Sequence, residues 1–330
     1  MKEKTYEKEN AFLSPYAKKS AESLGRVKEE APCTMRTDFQ RDRDRIIYSK
    51  SFLRLKNKTQ VFFAPYGDHY MSRLTHTLDV SQIARSLARC LSLNEDLAEA
   101  IALGHDLGHT PFGHVGERVI SRLSPAGFRH SEQSLRVVDK LEKDGKGLNL
   151  TFEVRDGILN HPKSGHPATL EGAAVSLADR IAYINHDIED AIRAGFLKED
   201  ELPETAVKRF GRDTSARINA AILDIYRESA GKPYVKMSEE MGQALDELRS
   251  FMFEHVYERA NKLIQESAER MLTELYGYFN DNPEKLPELY HGIAEEEGVA
   301  RAVCDYLSSM TDRYAVSVFQ TLFVPREGSV

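Results

Sequence analysis

Cysteine is scarce in this chain, and what there is lies far apart. Cys33, Cys90 and Cys304 are the three cysteines in 330 residues. They form no CxxC pair and leave one thiol over in any disulfide scheme. That excludes a disulfide-stapled scaffold and a thiolate zinc site, and it fits a reducing compartment. Cys90 falls in an apolar helical run, so a buried structural thiol is expected there. Long apolar runs are also missing. None approaches the ~20 residues that span a bilayer, and the N-terminal MKEKTYEKENAFLS has no signal-peptide core. Nor is there an excess of basic charge. The formal net charge is −7, which argues against a surface built chiefly to hold nucleic acid. A soluble cytoplasmic protein with no membrane partner is expected.

What is present is unevenly spread. From Arg36 to Lys58 there are eight Lys/Arg and three Asp, and from Asp281 to Glu297 six acids and one Lys. The basic segment admits two readings: a site for a phosphorylated small molecule, or a solvated helix face with i,i+4 ion pairs, as in RDRDR (Arg41 to Arg45).

The apolar residues recur mostly on a helical period. Residues 1–35, broken by Pro15 and Pro32, read as peripheral and weakly ordered. Helices are expected at 38–56, 75–92, 95–107, 115–124, 131–143, 151–160 and 169–195, then at 213–230, 238–280, 284–294 and 297–312. TQVFFAPYGDHYMSR (59–73) differs. Its β-branched and aromatic residues around Pro65-Tyr66-Gly67 read as a short β-hairpin insertion. The fold class is all-α, with a helical core at 36–197 and a C-terminal helical region at 198–330. The seam between them is sought in 195–213. Aromatic residues of the C-terminal region, such as Phe251, Tyr276, Phe279 and Tyr306, read as core or as an oligomer interface.

Polar side chains intrude on three apolar helix faces. In RLTHTLDVSQIARSLARCLSL (73–93) Thr75 reads as the N-cap, and His76 shares a face with Val80, Ile83, Leu87 and Leu91. A lone histidine there is more often a hydrogen-bonded core residue than a ligand. In EDLAEAIALGHDLGH, His105 and Asp106 follow Leu97 and Ile101 at the inner end of the helix. In TLEGAAVSLADRIAYINHDIEDAIRAG (169–195), Asp179, Tyr183, His186 and Asp190 share one narrow arc, with Asp187 at its edge. A solvated face suits His186 and Asp190. Asp179, flanked by Leu177, Ala178 and Ile181, needs a cation. His76, His105, Asp106 and Asp179 together suit a borderline or hard divalent ion such as Mn²⁺, Fe²⁺, Mg²⁺, Ni²⁺ or Zn²⁺.

The order H…HD…D on helices resembles the HD-domain metal phosphohydrolases. RTDFQRDRDRIIYSKSFLRLKNKTQVF (36–62), RLTHTLDV (73–80), GHDLGHTPFGHVGE (104–117), FRHSEQS (128–134) and DRIAYINHDIED (179–190) look more closely like the deoxyguanosine triphosphate triphosphohydrolase group. This resemblance implies an all-helical fold and cleavage of a deoxynucleoside triphosphate to deoxynucleoside and tripolyphosphate. It implies His76, His105, Asp106 and Asp179 as metal ligands, His114 as the catalytic histidine with Glu117 beside it, and His109 and His130 against the phosphates. It places Arg73 at the α-phosphate, Arg180 and Tyr183 at the distal phosphates, and Asp187 at the deoxyribose 3′-OH. It also implies a homo-oligomer, hexamer or tetramer, and a possible nucleotide or single-stranded DNA effector. Leu53 departs from the pattern: many relatives carry arginine there, on the base-and-sugar side. Loss of that donor weakens the case for strict guanine preference.

The implied chemistry is coherent. If tripolyphosphate leaves in one piece, attack falls on the α-phosphorus, and a divalent ion can supply the nucleophile near neutral pH. Histidine titrates in the range needed to protonate the departing 5′-oxygen. Glu117, three residues beyond His114, is expected to fix its tautomer and keep it protonated. Two other readings stay open: an HD nucleotidase or phosphodiesterase of other specificity, and a non-catalytic nucleotide sensor or single-stranded DNA binder.

Overall fold

The computed structural model of the chain describes residues 2–60, 71–257 and 262–325. Among the described residues there are helices and turns but no strand; two isolated antiparallel bridges join Arg26 to Thr151 and Thr59 to Ser72. The expected hairpin falls largely on residues 61–70, outside the described residues; the Thr59–Ser72 bridge joins the residues on either side of them.

Helices α1 (Lys2–Phe12), α2 (Asp38–Ile47) and α3 (Lys50–Arg54) are followed by α4 (Arg73–Cys90) and α5 (Glu95–Gly104). Next come α6 (Gly113–Leu123), α7 (His130–Arg136), α8 (Phe152–Asn160) and α9 (Leu170–Arg193). Then follow α10 (Glu204–Phe210), α11 (Thr214–Ser229), α12 (Glu239–Met252) and α13 (Lys262–Asp281). The last three are α14 (Glu288–Glu297), α15 (Val299–Ser309) and α16 (Asp312–Phe323).

Several expected boundaries move, each for a local reason. The single helix expected over 38–56 is two, because the Ser49 hydroxyl accepts the Phe52 amide at 3.1 Å and starts α3 afresh. Ser72, not Thr75, caps α4: its side chain accepts Thr75 N–H, and Thr75 Oγ1 takes Ser72 N–H at 2.9 Å in return. Gly298, at φ 93°, separates α14 from α15. The N-terminal segment is helical and fastened rather than loose: Glu9 is buried and accepts Ser20 N–H at 2.7 Å. Cys90 is exposed on the outer side of α4, not buried.

The basic segment is taken up by ion pairs. Arg41 and Arg45 meet Glu30 at 3.0 and 2.7 Å, and Arg43 meets Glu99 at 3.2 Å. These arginines are engaged by other segments of the chain, neither in the i,i+4 pairs of a solvated helix face nor at a phosphate site.

Two clusters of buried apolar side chains form the interior. The larger runs from Ala17 to Val256 and crosses residues 197–198 without a break, taking in Leu197, Leu202, Phe210 and Leu248. In it α4 buries Val80, Ile83, Ala84 and Leu87 against α5 and α9. Each such large side chain contributes roughly 1.5–3 kcal/mol on burial. The smaller cluster packs Val115, Val119 and Ile120 of α6 against Leu272, Phe279, Val303 and Leu307 of the C-terminal helices. Tyr276, Phe279 and Tyr306 are thus core residues. Helix α6, which carries His114, is held by the C-terminal region.

Candidate active site

Three helices of the larger cluster bring the expected ligands together. α4 opens with Arg73 and presents His76 one turn on, both buried. α5 stops at Gly104, where a Cβ would lie 2.5 Å from the Ile158 side chain, and the chain then turns with His105 and Asp106 facing inward. α9 supplies Asp179 between the buried Leu177, Ala178 and Ile181.

Ligand atoms of His76, His105 and Asp106 all lie within 4.8 Å of one another. Asp179 Oδ1 is 3.1 Å from His76 Nε2 and 3.7 Å from His105 Nε2. The tautomers can be followed outward from this point. His105 Nδ1 lies 2.6 Å from the Ala102 carbonyl and so carries the proton. Its Nε2 is buried with no hydrogen-bond partner. An orphaned imidazole lone pair beside two carboxylates is what a divalent ion would take up. Behind His76, Asp79 Oδ2 lies 2.6 Å from His186 Nε2, and His186 Nδ1 lies 3.4 Å from His76 Nδ1. That chain gives a proton on His76 Nδ1 an acceptor, so that Nε2, which hydrogen-bonds Asp179 at 3.1 Å, can turn a lone pair to a metal instead. His186 and Asp190 are buried, not solvated. Burial opposes charge on Asp179, but the His76 hydrogen bond and the nearby His105 outweigh it and hold its pKa far below the usual carboxylate range. Burial lowers the pKa of His76, so it stands ready as a neutral ligand.

A second group lies next to the first. Arg73 donates to Asp106 Oδ2 at 2.8 Å, and His109 Nε2 meets Asp106 Oδ1 at 3.0 Å. Burial, then the Arg73 charge, keep His109 neutral, and its Nδ1 has no partner. The His109 ring stacks on His130 at 4.0 Å between centroids. Gly108 permits this approach: a Cβ there would sit 2.2 Å from Ser134 N and 2.6 Å from His130 O. Asp106, His109 and His130 form a second possible metal-holding trio.

Glu117, expected to hold His114 protonated, bonds His130 instead. Its Oε1 accepts His130 N–H at 2.9 Å and lies 3.0 Å from Nδ1, while Oε2 is 4.0 Å from His114. Burial works against the His130 imidazolium, but Glu117 raises its pKa above the ordinary value. His114 shows the opposite. The protein packed around its inner side, then the like charge of Arg73, lower its pKa to about 4. About 55% of that side chain is open to solvent. The ring projects into the cavity mouth while protein surrounds it on the other sides.

These groups open onto a cavity of about 1120 Å³ lined by Arg73, His76, Asp106, His109, His114, Glu117, His130, Asp179, Arg180 and Tyr183. Arg118 and Arg249 also line it, as do Arg122 and Lys163, which pair with Glu269 and Asp246 of the same wall. His105 lies behind the wall, fully buried. Asp187 is buried on α9 and Leu53 is exposed on α3; neither lines the cavity.

Sequence reasoning missed His161. It ends α8, lines the cavity, and puts Nε2 at 3.3 Å from His130 Nε2 and its ring 5.0 Å from His105. Burial lowers its pKa to about 3. Its segment, GILNHPKSG, has no ligand spacing that could have marked it.

The HD domain matches residues 73–184, and the phosphohydrolase-associated domain matches 235–321. A deoxyguanosinetriphosphate triphosphohydrolase-like protein of Caldanaerobacter subterraneus subsp. tengcongensis is 56% identical over 98% of this chain and 96% of its own. One from Clostridium perfringens strain 13 is 49% identical over 96% of both. A solved phosphohydrolase of Bacteroides thetaiotaomicron aligns with TM-score 0.52 at 19% identity, covering 84% of this chain and 68% of that one, and supports the fold.

Proposed function

Because this chain belongs to the deoxyguanosinetriphosphate triphosphohydrolase-like family of HD-domain proteins, we propose that it hydrolyses deoxynucleoside triphosphates, dGTP or a broader set, to deoxynucleoside and tripolyphosphate. The observation that carries this is the unpartnered Nε2 of His105, set among His76, Asp106 and Asp179 beside a cavity whose lining includes Arg73, Arg118 and Arg249.

His76, His105, Asp106 and Asp179 would hold the ion, and the oxygen-and-nitrogen set favours Mn²⁺ or Mg²⁺. A divalent ion bound there supplies Lewis acidity that makes water nucleophilic near neutral pH. The water oxygen bonds to the α-phosphorus as the bond from phosphorus to the 5′-oxygen breaks. Arg73 neutralises charge at the α-phosphoryl group, and Arg180 and Tyr183 meet the distal phosphates. The positive His130, held by Glu117, adds attraction for the polyanion. His114 donates the proton that the 5′-oxygen takes as it leaves. With a pKa near 4 in the free protein, it acquires that proton once the bound triphosphate raises its basicity. A hexamer or tetramer, a nucleotide or single-stranded DNA effector, and a cytoplasmic location belong to this reading; Asp187 and Leu53, which lie off the cavity wall, are given no substrate contact in it.

The test is product analysis. The purified protein is incubated with each deoxynucleoside triphosphate, singly and mixed, over Mn²⁺ and Mg²⁺. Free deoxynucleoside with intact tripolyphosphate supports the proposal. Release of orthophosphate or pyrophosphate points to an HD hydrolase of another specificity. Retained nucleotide without turnover over every metal points to a sensor.

A further inference from the structure

The segment His109–His114 joins the two groups of functional histidines, and it is fastened by side chains that the proposed reaction does not use. Lys58 is fully buried. Its ammonium donates to the carbonyl oxygen of His109, and to that of Ser308, at the end of α15, at 2.7 Å. Asp312, the first residue of α16, has two tasks. Its Oδ1 accepts Phe112 N–H at 3.0 Å, and its Oδ2 accepts the N–H of Thr59 at 2.9 Å together with the Thr59 hydroxyl.

Between these anchors the backbone takes an unfavourable shape. Phe112 sits at φ 60°, ψ 27° in the left-handed region, which is unfavourable for a residue with a Cβ. Gly113 follows at φ 53°, where a Cβ would lie 3.0 Å from the Gln60 carbonyl oxygen. Conformations of this kind persist only where the surroundings over-determine them. Within the turn, Thr110 Oγ1 donates to Gly113 O at 3.0 Å. From outside, Lys58 and the start of α16 tie it.

We propose that Asp312, backed by Lys58, is a positioning residue that acts through Phe112 to hold the 109–114 segment in its left-handed form, and so sets where His109 and His114 stand in the cavity. This gives the C-terminal region a task in the reaction. The junction of α15 and α16 serves as a fixed post for the loop bearing the proton donor. The inference rests on the proposed role of His114.

Asp312→Ala tests it, with dGTP and Mn²⁺ as the probe and amide exchange followed by mass spectrometry. Exchange over 109–114 is expected to rise while that of α4 and α9 stays at the wild-type level. Bound Mn²⁺ per chain and KM should hold within about twofold while kcat falls about 10- to 100-fold, the effect of a misplaced catalytic group. Asp312→Asn, which keeps an oxygen acceptor for Phe112 N–H, should recover most of that kcat. If Asp312→Ala does not fold, Asp312→Ser replaces it, because serine suits a helix start but is too short to reach Phe112; the same expectations apply. Unchanged loop exchange, or raised loop exchange at full kcat, overturns the proposal. So does a kcat loss accompanied by faster exchange throughout the chain. A wild-type protein that releases no tripolyphosphate would sink the assigned reaction instead, and the exchange measurement would still report on the anchor.

Discussion

Glu117 and His130 form a close pair: one carboxylate oxygen accepts the backbone N–H at 2.9 Å and lies 3.0 Å from the ring Nδ1. Glu117→Gln removes the charge that favours the imidazolium. The His130 pKa, raised in the wild type, should drop below its ordinary value, because burial is then opposed by less. Histidine ring NMR over a pH series checks this, and an unmoved His130 titration would refute the pairing.

His114 has no such partner. His114→Ala should keep its metal, because none of the four proposed ligands lies on α6. Its turnover of dGTP should fall about 10²- to 10⁴-fold, the usual worth of a general acid. Metal content and kcat, measured on one preparation, separate the two effects. Wild-type turnover would remove His114 from the donor role.

The ion itself should stabilise the fold. Mn²⁺ at about 100 times its Kd is expected to add about 2.7 kcal/mol and raise the wild-type Tm. His105→Ala, which deletes the orphaned Nε2, should bind no Mn²⁺ and show no such rise. A metal-dependent Tm shift of wild-type size in that variant would exclude the site as drawn.

A pH effect on stability is expected far from the cavity. Glu171, in the first turn of α9, accepts N–H groups of Lys18 and Asn94 at 3.0 Å each, and its other oxygen is buried without a partner. Burial raises its pKa from 4.5 to about 7. In the unfolded chain the proton leaves near 4.5, so between these values the folded state binds more protons and stability falls as pH rises. The contribution is fully present below pH 4.5 and lost by about pH 7, on the order of 3 kcal/mol. Glu171→Gln should flatten that part of the curve. Urea unfolding of both proteins from pH 4 to 8 measures it, and parallel curves would contradict the assignment.

How much of this the sequence reveals depends on the range of the interaction. His76, His105, Asp106 and Asp179 stand out because each puts a polar group on an apolar helix face, a signal held within four or five residues. The all-helical class follows from the same period. Boundaries moved wherever a side chain competes locally for the backbone, as Ser49 does between α2 and α3. The partner of Glu117 could not be read, because α6 spacing favours His114 and only tertiary packing brings His130 to it. The same holds for His161, for the chain from Asp79 through His186, and for Lys58, whose partners lie 51 and 250 residues away. A buried lysine within KTQVF looks like any other basic residue until its surroundings are known.

Position 108 has a consequence of another kind. No side chain there touches substrate or metal, yet the space it leaves vacant fixes the gap between two imidazoles. With Ser134 N only 2.2 Å from where a methyl would sit, adding one carbon must wedge α7 outward and pull the His130 ring off its neighbour. A residue with no chemistry of its own thus limits how far two imidazoles of this pocket can drift.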